Sequence, residues 1–457
     1  MLFNSYIFFI FLSIVLCVFY ALKSTAWKKY WLFAASLFFY GYWDWHWLGL
    51  FGFSIVFNYL LGFKIADSSS TSKKWLAFGV TMNLSIIVVF KYFNFFIDNL
   101  SFFGRPLDFL HLHFILPIGI SFYTFQAIAY LVDVYRKEIQ PVSNFIDFGL
   151  YKSFFPLLIA GPIERASHLI PQFSSTLIPT KEQLREGFFL ITIGLFQKVM
   201  IGDACGRIVD TVFLDLNKYA SFEIISAVLL FTFQIYADFA GYSNIARGLA
   251  KLMGIDLMVN FDKPYWACNI QEFWRKWHIS LSTWLRDYLY IPLGGNQKGK
   301  NRTLINLMIV MVLGGLWHGA GWNYLLWGMY HGVLLVLYRK TKSISLPKMV
   351  NVVLTFMLVV LGWTIFRLTS VTQFELFFEQ MQLWTFGDFY GRFIKMILTF
   401  GSVLFFIDWL QIKYQSDAFL LKFKNQAFAY GISCSLLLVS FIYILTKKPL
   451  PFIYFQF

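Results

Sequence analysis

Long apolar runs separated by short polar segments dominate the hydrophobic pattern of this chain. A membrane-spanning helix needs about 20 mostly apolar residues, and the sequence contains a series of runs that approach this length. These runs are residues 5–22, 30–43, 47–65, 75–97, 114–132, 145–161, 185–202, 222–240, 303–317, 322–338, 349–366, 394–411 and 428–446. Because some are too short to span straight or contain polar breaks, the pattern predicts about 11 transmembrane helices and one or two re-entrant or interfacial helices.

Composition then fixes the class of protein. Of the 457 residues, 58% are hydrophobic and 14% are charged, whereas ordinary soluble domains are about 45–50% apolar and about 25% charged. A soluble chain of this size would leave too much apolar surface in water. We therefore expect an all-α integral membrane protein, with a single polytopic domain over residues 1–457.

The middle of the chain differs from its two flanks. Charges, histidines, glycines and prolines repeatedly interrupt the apolar runs between residues 112 and 335. Polar or non-helical backbone at membrane depth is tolerated only inside protein or along a water-filled cavity. The functional centre is therefore predicted to lie within residues 112–335.

The net charge of +14 is explained by basic loops that face anionic lipid, so no nucleic-acid partner is predicted. Lys23, Lys28 and Lys29 follow the first apolar run, which has neither a basic residue before it nor a small-residue cleavage site after it. It is expected to be a retained anchor with the N-terminus outside. The four cysteines are scattered, and His111 and His113 lack a third ligand, so no metal site is predicted.

Two polar clusters interrupt the apolar runs before residue 260. Arg165 and Glu164 directly follow a proline that ends a helix, so they form either a helix end with charges reaching the surface or the rim of a polar chamber. Gln234 and Asp238 are four residues apart and share a helix face. Since a carboxylate in a bilayer needs a partner or a cavity, Asp238 is either in a buried ion pair with an arginine from another helix or on a substrate path.

The segment IQEFWRKWHISLSTWLRDYLYIPLGG, residues 270–295, has the pattern of one amphipathic helix. Helical periodicity aligns four polar side chains on one stripe, Arg275, His278, Ser282 and Arg286. Such a helix either lies at the membrane surface or lines a polar site.

A basic loop follows this predicted helix. Its cations are Lys298, Lys300 and Arg302. Positive charge concentrated in one loop attracts anionic groups. The loop is therefore a candidate for binding the phosphates of a nucleotide-containing donor.

The stretch LGGLWHGAGWNYLLWGMYHG, residues 313–332, places His318 between Trp317 and a glycine. Its glycines allow close backbone packing around the imidazole. A neutral histidine with a pKa near its ordinary value of about 6.5 suits a general base, although a lone histidine in an apolar run is often a core residue. His331 would point to another face of a continuous helix, so we interpret it as packing or gating.

Two stretches, WRKWHISLSTWLRDYLYIPLGG and GGLWHGAGWNYLLWGMYHG, resemble motifs of the membrane-bound O-acyltransferases. Within that family the chain is similar to the bacterial branch of alginate O-acetyltransferase membrane subunits, peptidoglycan O-acetyltransferases and teichoic acid D-alanyl transferases. The opening MLFNSYIFFIF and the stretches AGPIER and YADFAGYSNIARGLA also resemble this branch. The resemblance covers most of the chain and is densest from about residue 112 to 335.

The resemblance implies helices around a central funnel, with the family's essential histidine at His318 and a second polar position at His278. It implies acyl transfer from a thioester to a hydroxyl group, with His318 as the general base. His278 would orient the acceptor, polarise the thioester carbonyl or shuttle the proton. The polar or structural residues of the funnel would be Asp238, Gln234, Arg165, Trp317 and Ser282.

The same resemblance implies no permanently bound cofactor, acetyl-CoA as the acyl donor and a separate partner of the SGNH hydrolase type. The donor-binding candidates are Arg275, Arg286, Lys298, Lys300 and Arg302. The expected location is the bacterial cytoplasmic membrane, and the acceptor is an alginate-like polysaccharide or peptidoglycan. Two alternatives stay open, a D-alanyl transferase for teichoic acid and a transporter that uses the histidines as a proton relay.

Overall fold

The structure is a computed structural model that describes residues 1–67, 70–101, 108–112, 116–158, 161–341 and 346–455. Within these ranges the regular elements are helices, and no strand is present. The helices up to residue 251 are α1 (Tyr6–Ala21), α2 (Thr25–Gly41), α3 (Trp47–Asp67), α4 (Ser72–Ser101), α5 (Ile120–Tyr135), α6 (Phe145–Ser153), α7 (Phe155–Leu158), α8 (Ala166–Ser174), α9 (Lys181–Leu214) and α10 (Ser221–Lys251).

The later part of the chain continues with shorter helices around a second group of long ones. These are α11 (Ile270–Lys276), α12 (Ile279–Leu285), α13 (Lys300–His318), α14 (Trp322–Lys340), α15 (Lys348–Arg367), α16 (Val371–Leu383), α17 (Tyr390–Tyr414) and α18 (Gln426–Thr446). Wider π turns occur at Val88–Tyr92, Gln197–Asp203 and Arg286–Tyr290, and single 3-10 turns at Asp108–Leu110, Leu216–Lys218, Pro264–Trp266, Phe419–Lys422 and Ile453–Phe455.

Polar caps set several helix starts. The Ser5 hydroxyl accepts a hydrogen bond from the Phe8 N–H, and the Asn269 and Asn425 side chains accept from N–H groups in the first turns of α11 and α18. These side chains satisfy backbone donors that a helix cannot pair internally. Local sequence therefore fixes where these helices begin.

The all-α integral membrane prediction is confirmed. Among the described residues, seven helices are long and apolar enough to cross a membrane: α3, α4, α9, α10, α15, α17 and α18. Helix α1 is apolar but shorter, and α13 and α14 have 19 residues each. The number of about 11 spans, the central funnel and the outside position of the N-terminus stay predictions.

The apolar runs of the sequence overlap the helices closely, with one clear exception. The run 145–161 was expected to be one element, but α6 ends at Ser153 and α7 begins at Phe155, with Phe154 outside helical geometry between them. Pro156 stands in the first turn of α7, where its missing N–H leaves no helical bond unmade.

The helices group into two compact units. Unit 1 contains residues 3–184 and 249–258, and unit 2 contains residues 185–248 and 259–457. In unit 1, α4 packs along α3 and α5, and α2 packs along α6. In unit 2, α13 and α14 form the most extensive helix pair. The single polytopic domain over residues 1–457 stays a prediction.

Candidate active site

A cavity of about 630 Å³ opens within unit 2. Its walls come from α11, α12, the π turn after α12, α13 and α14. The lining residues are Gln271, Trp274, Arg275, Ile279, Leu281, Ser282, Thr283, Leu285, Arg286, Tyr290, Asn296, Leu307, Val310, Met311, Gly314, His318, Trp327, Leu335, Tyr338 and Arg339. Apolar and aromatic side chains form about half of this lining, and the polar groups between them can bind and orient a ligand.

His318 is the last residue of α13 and lies at the wall of this cavity. Its side chain is almost fully buried. Four aromatic rings surround the imidazole, with centroid distances of 5.1 Å to Trp317, 5.1 Å to Trp327, 5.5 Å to Phe366 and 5.2 Å to Tyr454. Packing on all sides therefore fixes the direction in which His318 faces the cavity.

The close packing expected of the glycines around His318 is confirmed at three of them. A side chain on Gly315 would collide with the Tyr324 carbonyl oxygen, and one on Gly328 with the Met311 carbonyl oxygen. A side chain on Gly319 would collide with the Tyr324 ring. Only glycine permits α13 and α14 to approach this closely, and this approach forms the wall that carries His318.

The continuous helix predicted over residues 270–295 is wrong. The helix ends at Lys276 and restarts at Ile279, and His278 between them adopts a left-handed backbone conformation with φ 42° and ψ 56°. This conformation is unfavourable by about 1–3 kcal/mol for a residue other than glycine, and residues held in it are enriched at functional sites. The turn removes His278 from the stripe that it was predicted to share with Arg275, Ser282 and Arg286.

His278 lies behind the cavity wall rather than on it. It is fully buried, and it is not among the cavity-lining residues in the part of the chain that the structure describes. Its ring centroid is 5.8 Å from that of Trp317 and 6.4 Å from that of Tyr454. Since the same two rings contact His318, the structure brings the two predicted histidines to one aromatic cluster.

The first two predicted donor-binding cations line the cavity. Arg275 and Arg286 lie on its wall, and so does Ser282, whose hydroxyl donates to the Trp277 carbonyl at 3.2 Å. Lys298, Lys300 and Arg302 are exposed and are not among the described lining residues. Their assignment to donor binding stays a prediction, without a direct position on the cavity wall to support it.

Sequence reasoning missed a third cation on the wall, Arg339. Its guanidinium donates to the Asn296 side-chain oxygen at 3.4 Å, and the Tyr290 hydroxyl donates to the same oxygen at 2.5 Å. The sequence does show basic residues in the last turn of α14, but basic residues are common at helix C-termini and do not by themselves indicate a site.

Asp238 and Gln234 both face α9, as their shared helix face predicts. The Asp238 carboxylate pairs with the Lys198 ammonium at 2.7 Å, and Lys198 also pairs with Asp203 at 2.5 Å. Gln234 packs beside Gly206 of the same helix. The ion-pair interpretation of Asp238 is therefore supported, with a lysine in place of the expected arginine, and neither predicted residue is among the described residues that line the cavity.

The C-terminal segment, residues 448–454, is an unexpected part of the site. The Ile453 N–H donates to the second Asp238 carboxylate oxygen at 2.8 Å, and the Phe452 ring packs 5.2 Å from Phe239. This attachment places the Tyr454 ring beside both His278 and His318. The prediction of a centre confined to residues 112–335 did not include it, because no local pattern indicates where a distant segment returns.

Arg165 belongs to unit 1 and precedes α8. The neighbouring Glu164 is fully buried and accepts hydrogen bonds from the Met258 N–H at 2.6 Å and from His168 at 2.7 Å. This hydrogen bond raises the pKa of His168 above its ordinary value. The carboxylate thus joins two chain segments of unit 1 as a buried group, so Glu164 does not reach the surface as the helix-end interpretation expected.

The two remaining histidine predictions have different outcomes. His331 is fully buried, with ring centroids 4.8 Å from Trp327 and 5.2 Å from Trp274, as expected of a packing residue. His111 pairs with Asp98 at 2.8 Å, and His113 lies outside the described residues. No group of three or more metal-ligand side chains was found among the residues described.

Comparison of the sequence with known proteins identifies the enzyme class of this chain. Residues 10–371 match the model of MBOAT, the membrane-bound O-acyltransferase family. The chain belongs to this family and is a multi-pass membrane O-acyltransferase, as the two histidine motifs predicted.

Individual relatives show which members of the family this chain is similar to. The chain is 42% identical over 379 residues to the probable alginate O-acetylase AlgI of Pseudomonas aeruginosa, covering 80% of this chain and 72% of that protein. It is 38% identical over 406 residues to the peptidoglycan O-acetyltransferase of Helicobacter pylori, covering 80% and 77%. Similarity to the teichoic acid D-alanyltransferase of Bacillus subtilis is lower, 31% over 277 residues, covering 54% and 68%.

Proposed function

We propose that this chain transfers acetyl groups from cytoplasmic acetyl-CoA toward hydroxyl groups of an extracytoplasmic cell-envelope polysaccharide, with His318 as the general base. The observation that carries the proposal is the position of His318 on the wall of a cavity of about 630 Å³ that also exposes Arg275 and Arg286. The family supplies the reaction class, and the two acetylating relatives favour the acetyl group.

The proposed chemistry needs a base, a site for the developing oxyanion and the exclusion of water. The His318 imidazole takes the proton of the acceptor hydroxyl as its oxygen forms a bond with the thioester carbonyl carbon. The carbon–sulfur bond then breaks, and the protonated imidazole returns the proton to the leaving thiolate. The four aromatic rings around His318 keep bulk water from this side of the imidazole.

The donor is proposed to enter past the cationic part of the cavity wall. Arg275, Arg286 and Arg339 offer guanidinium groups that bind phosphate oxygens with two parallel hydrogen bonds. The exposed cations Lys298, Lys300 and Arg302 would raise the local concentration of an anionic donor without direct contact. No permanently bound cofactor is needed for this reaction.

The acceptor is proposed to be an alginate-like exopolysaccharide or peptidoglycan, reached with a separate partner of the SGNH hydrolase type. The location is proposed to be the bacterial cytoplasmic membrane, where a cytoplasmic donor and an extracytoplasmic acceptor are both accessible. These proposals follow from what the resemblance implies and from the substrates in the relatives' names.

The D-alanyl transferase is the second candidate, since the Bacillus subtilis relative shares the family at lower identity. The acetylating relatives are more similar and cover more of this chain, so we rank acetyl transfer first. The transporter alternative is not retained, because the family is one of acyltransferases.

The proposal is tested by measuring ester-linked acetate on envelope polysaccharide. The strains compared lack the gene, carry the wild type, or carry His318→Ala at matched membrane expression. We expect acetate to be lost in the deletion and in His318→Ala and to be restored by the wild type.

A matched control is His331→Asn, since His331 also contacts Trp327 but is not among the described residues that line the cavity. This variant should keep most of the acetate. Unchanged acetate in the deletion would overturn acetyl transfer, and loss of ester-linked D-alanine in its place would support the second candidate.

A further inference from the structure

His278 is held by one neighbour in particular, Asn260. The His278 Nδ1 atom lies 3.1 Å from the Asn260 side-chain oxygen Oδ1. Both side chains are fully buried. A hydrogen bond between buried groups has no competing water, so it decides where the proton on the imidazole ring resides.

The identity of the accepting atom is fixed by a second contact. The Ser280 backbone N–H donates to the same Asn260 Oδ1 at 3.2 Å, and the Ser280 hydroxyl donates to it at 2.9 Å. A backbone N–H is always a donor, so the side-chain atom facing it is the amide oxygen and not the amide nitrogen. The amide nitrogen points the other way, toward the Ser243 hydroxyl at 3.4 Å.

An amide oxygen has no proton to give. The 3.1 Å contact with His278 Nδ1 is therefore a hydrogen bond only if Nδ1 carries the proton. The Ser280 hydroxyl lies farther from Nδ1, at 3.5 Å, and makes its shorter contact of 2.9 Å with the Asn260 oxygen. In a neutral imidazole, a proton on Nδ1 leaves Nε2 with the lone pair. The atom at the far side of the ring from Asn260 is thus an acceptor.

The backbone around Asn260 keeps this arrangement rigid. The Asn260 carbonyl accepts from the Ile279 N–H at 2.9 Å, and the Asp262 N–H donates to the Lys276 carbonyl at 3.0 Å. Asn260 therefore pairs the first two N–H groups of α12, for which the preceding His278 provides no side-chain cap. These bonds offset part of the unfavourable left-handed conformation of His278.

An ionic cluster anchors the other end of the same loop. Asp417 pairs with Arg247 at 2.7 Å and with Lys263 at 3.4 Å. Burial by itself raises the pKa of Asp417, but the two cations outweigh burial and hold that pKa below its ordinary value. The loop that carries Asn260 is thus fixed on both sides.

We propose that Asn260 is a positioning residue that holds His278 in the tautomer with its proton on Nδ1, which makes Nε2 a hydrogen-bond acceptor for the reaction. Sequence reasoning left three roles for His278. A neutral ring with this tautomer cannot donate from Nε2 to a thioester carbonyl, so it does not polarise that carbonyl. Its Nε2 can only accept a hydrogen bond or a proton, and because His278 lies behind the cavity wall, it supports the reaction from beside the proposed base His318 and not by direct contact in the cavity. This chemical consequence rests on the proposed acyl transfer, whereas the tautomer itself does not.

The test is ¹⁵N NMR of the full-length protein, labelled at histidine and reconstituted in lipid bilayers at neutral pH. The His278→Gln variant identifies the His278 signals by their absence. We expect a neutral ring with the proton on Nδ1. A proton on Nε2, or on both nitrogens, overturns the proposal, and this decision needs no variant of Asn260.

Two variants then test Asn260 itself. Asn260→Leu removes the acceptor at similar size and should change the tautomer signature and lower acyl transfer on the order of 10²-fold, since a wrong histidine tautomer in a serine protease lowers the rate by roughly 10⁴-fold. The control Ser243→Ala removes only the contact to the amide nitrogen and should leave the tautomer unchanged. An unchanged signature in a folded Asn260→Leu protein would contradict the positioning role.

The NMR and activity results separate two failures. The expected tautomer without any acyl transfer would overturn the proposed function and leave the Asn260–His278 geometry standing. Acyl transfer together with a proton on Nε2 would overturn the role of Asn260 and leave the proposed function standing.

Discussion

Each compact unit contains a histidine that is hydrogen-bonded to a buried side chain, and the two buried side chains differ in charge. In unit 1, the half-exposed His168 is hydrogen-bonded to the Glu164 carboxylate at 2.7 Å. In unit 2, the fully buried His278 is hydrogen-bonded to the neutral Asn260 amide at 3.1 Å. A carboxylate stabilises the imidazolium ion, whereas an amide oxygen only orients the ring.

The neighbours of the two histidines also differ. The Glu164 carboxylate also binds the Met258 N–H, so the unit 1 pair joins two chain segments. His278 shares its aromatic neighbours with His318, which borders a cavity. The comparison separates a histidine whose charged partner joins chain segments from one that a neutral partner orients beside the cavity-lining His318.

The largest expected effect is the difference in acyl-transfer rate between alanine variants of His318 and His168. His318→Ala removes the proposed base and should lower acyl transfer by about 10²–10⁴-fold, the range typical of general-base catalysis. His168→Ala should keep activity close to wild type. The measurement is the transfer rate of purified variants in bilayers, with thermal unfolding as the control for folding. Equal losses in the two variants would remove the distinction between the units.

The next effect concerns Lys198, a buried charge of unit 2 that does not border the cavity. Lys198→Met leaves Asp203 and Asp238 buried side by side without their cation, which should destabilise the protein by about 3–5 kcal/mol. Thermal unfolding in detergent measures this loss. The matched control Lys198→Met with Asp203→Asn and Asp238→Asn should recover part of it, and a fully stable single variant would show that the ion cluster is dispensable.

Variants of Tyr454 test whether this residue supports His318 through its aromatic ring or through its hydroxyl group. Tyr454→Ala removes a ring 5.2 Å from His318 and should lower the rate by up to about 10²-fold, because small misplacements of reacting groups have effects of that size. Tyr454→Phe keeps the ring and isolates the hydroxyl group. Rates of both variants, compared at equal membrane expression, decide between packing and hydroxyl chemistry.

The wall arginines should have a smaller effect, mainly on donor binding. Arg275→Gln with Arg286→Gln should raise the KM for the donor by roughly 30-fold, since two lost hydrogen bonds of about 1 kcal/mol each sum to about 2 kcal/mol and a factor of ten is about 1.4 kcal/mol. The control is Lys298→Gln with Lys300→Gln, whose side chains are exposed away from the wall. A larger effect in the control pair would assign donor binding to the loop.

The smallest effect is a pH dependence of stability in unit 1. Glu164 raises the pKa of His168 in the folded protein from its ordinary value of 6.5. The contribution of this pair to the free energy of unfolding is therefore complete below the ordinary pKa and disappears as pH rises through the raised pKa. We expect a slightly lower Tm at roughly pH 8.5 than at roughly pH 5.5, and a weaker difference in His168→Gln. The effect stays small because His168 is half exposed.

Much of the helical framework could be predicted from the sequence. The apolar runs matched helices because a run of about 20 apolar residues by itself indicates a membrane-spanning helix. Gln234 and Asp238 face one helix because local spacing fixes a helix face. The same local rules failed at His278, where the helix breaks although the polar stripe continues through it. Tertiary bonds to Asn260 overrode the local preference there.

Partners far apart in the sequence could not be predicted at all. Lys198 was not assigned to Asp238, because a periodic pattern identifies a buried face but not the helix that covers it. Asn260 and Tyr454 have no distinctive local pattern, and only folding brings them to the histidines. The candidate site was therefore predictable in its histidine motifs and not in the residues that hold them.

The attachment of the C-terminal segment has a consequence for biosynthesis. The ribosome makes Tyr454 long after His318, with α14 to α18 in between. At about 5–20 residues per second, that interval is on the order of ten seconds. During it, a nascent chain already carries both histidines in the membrane but lacks one aromatic wall around them. The aromatic wall beside both histidines is thus complete only after all the helices between His318 and Tyr454 have been made.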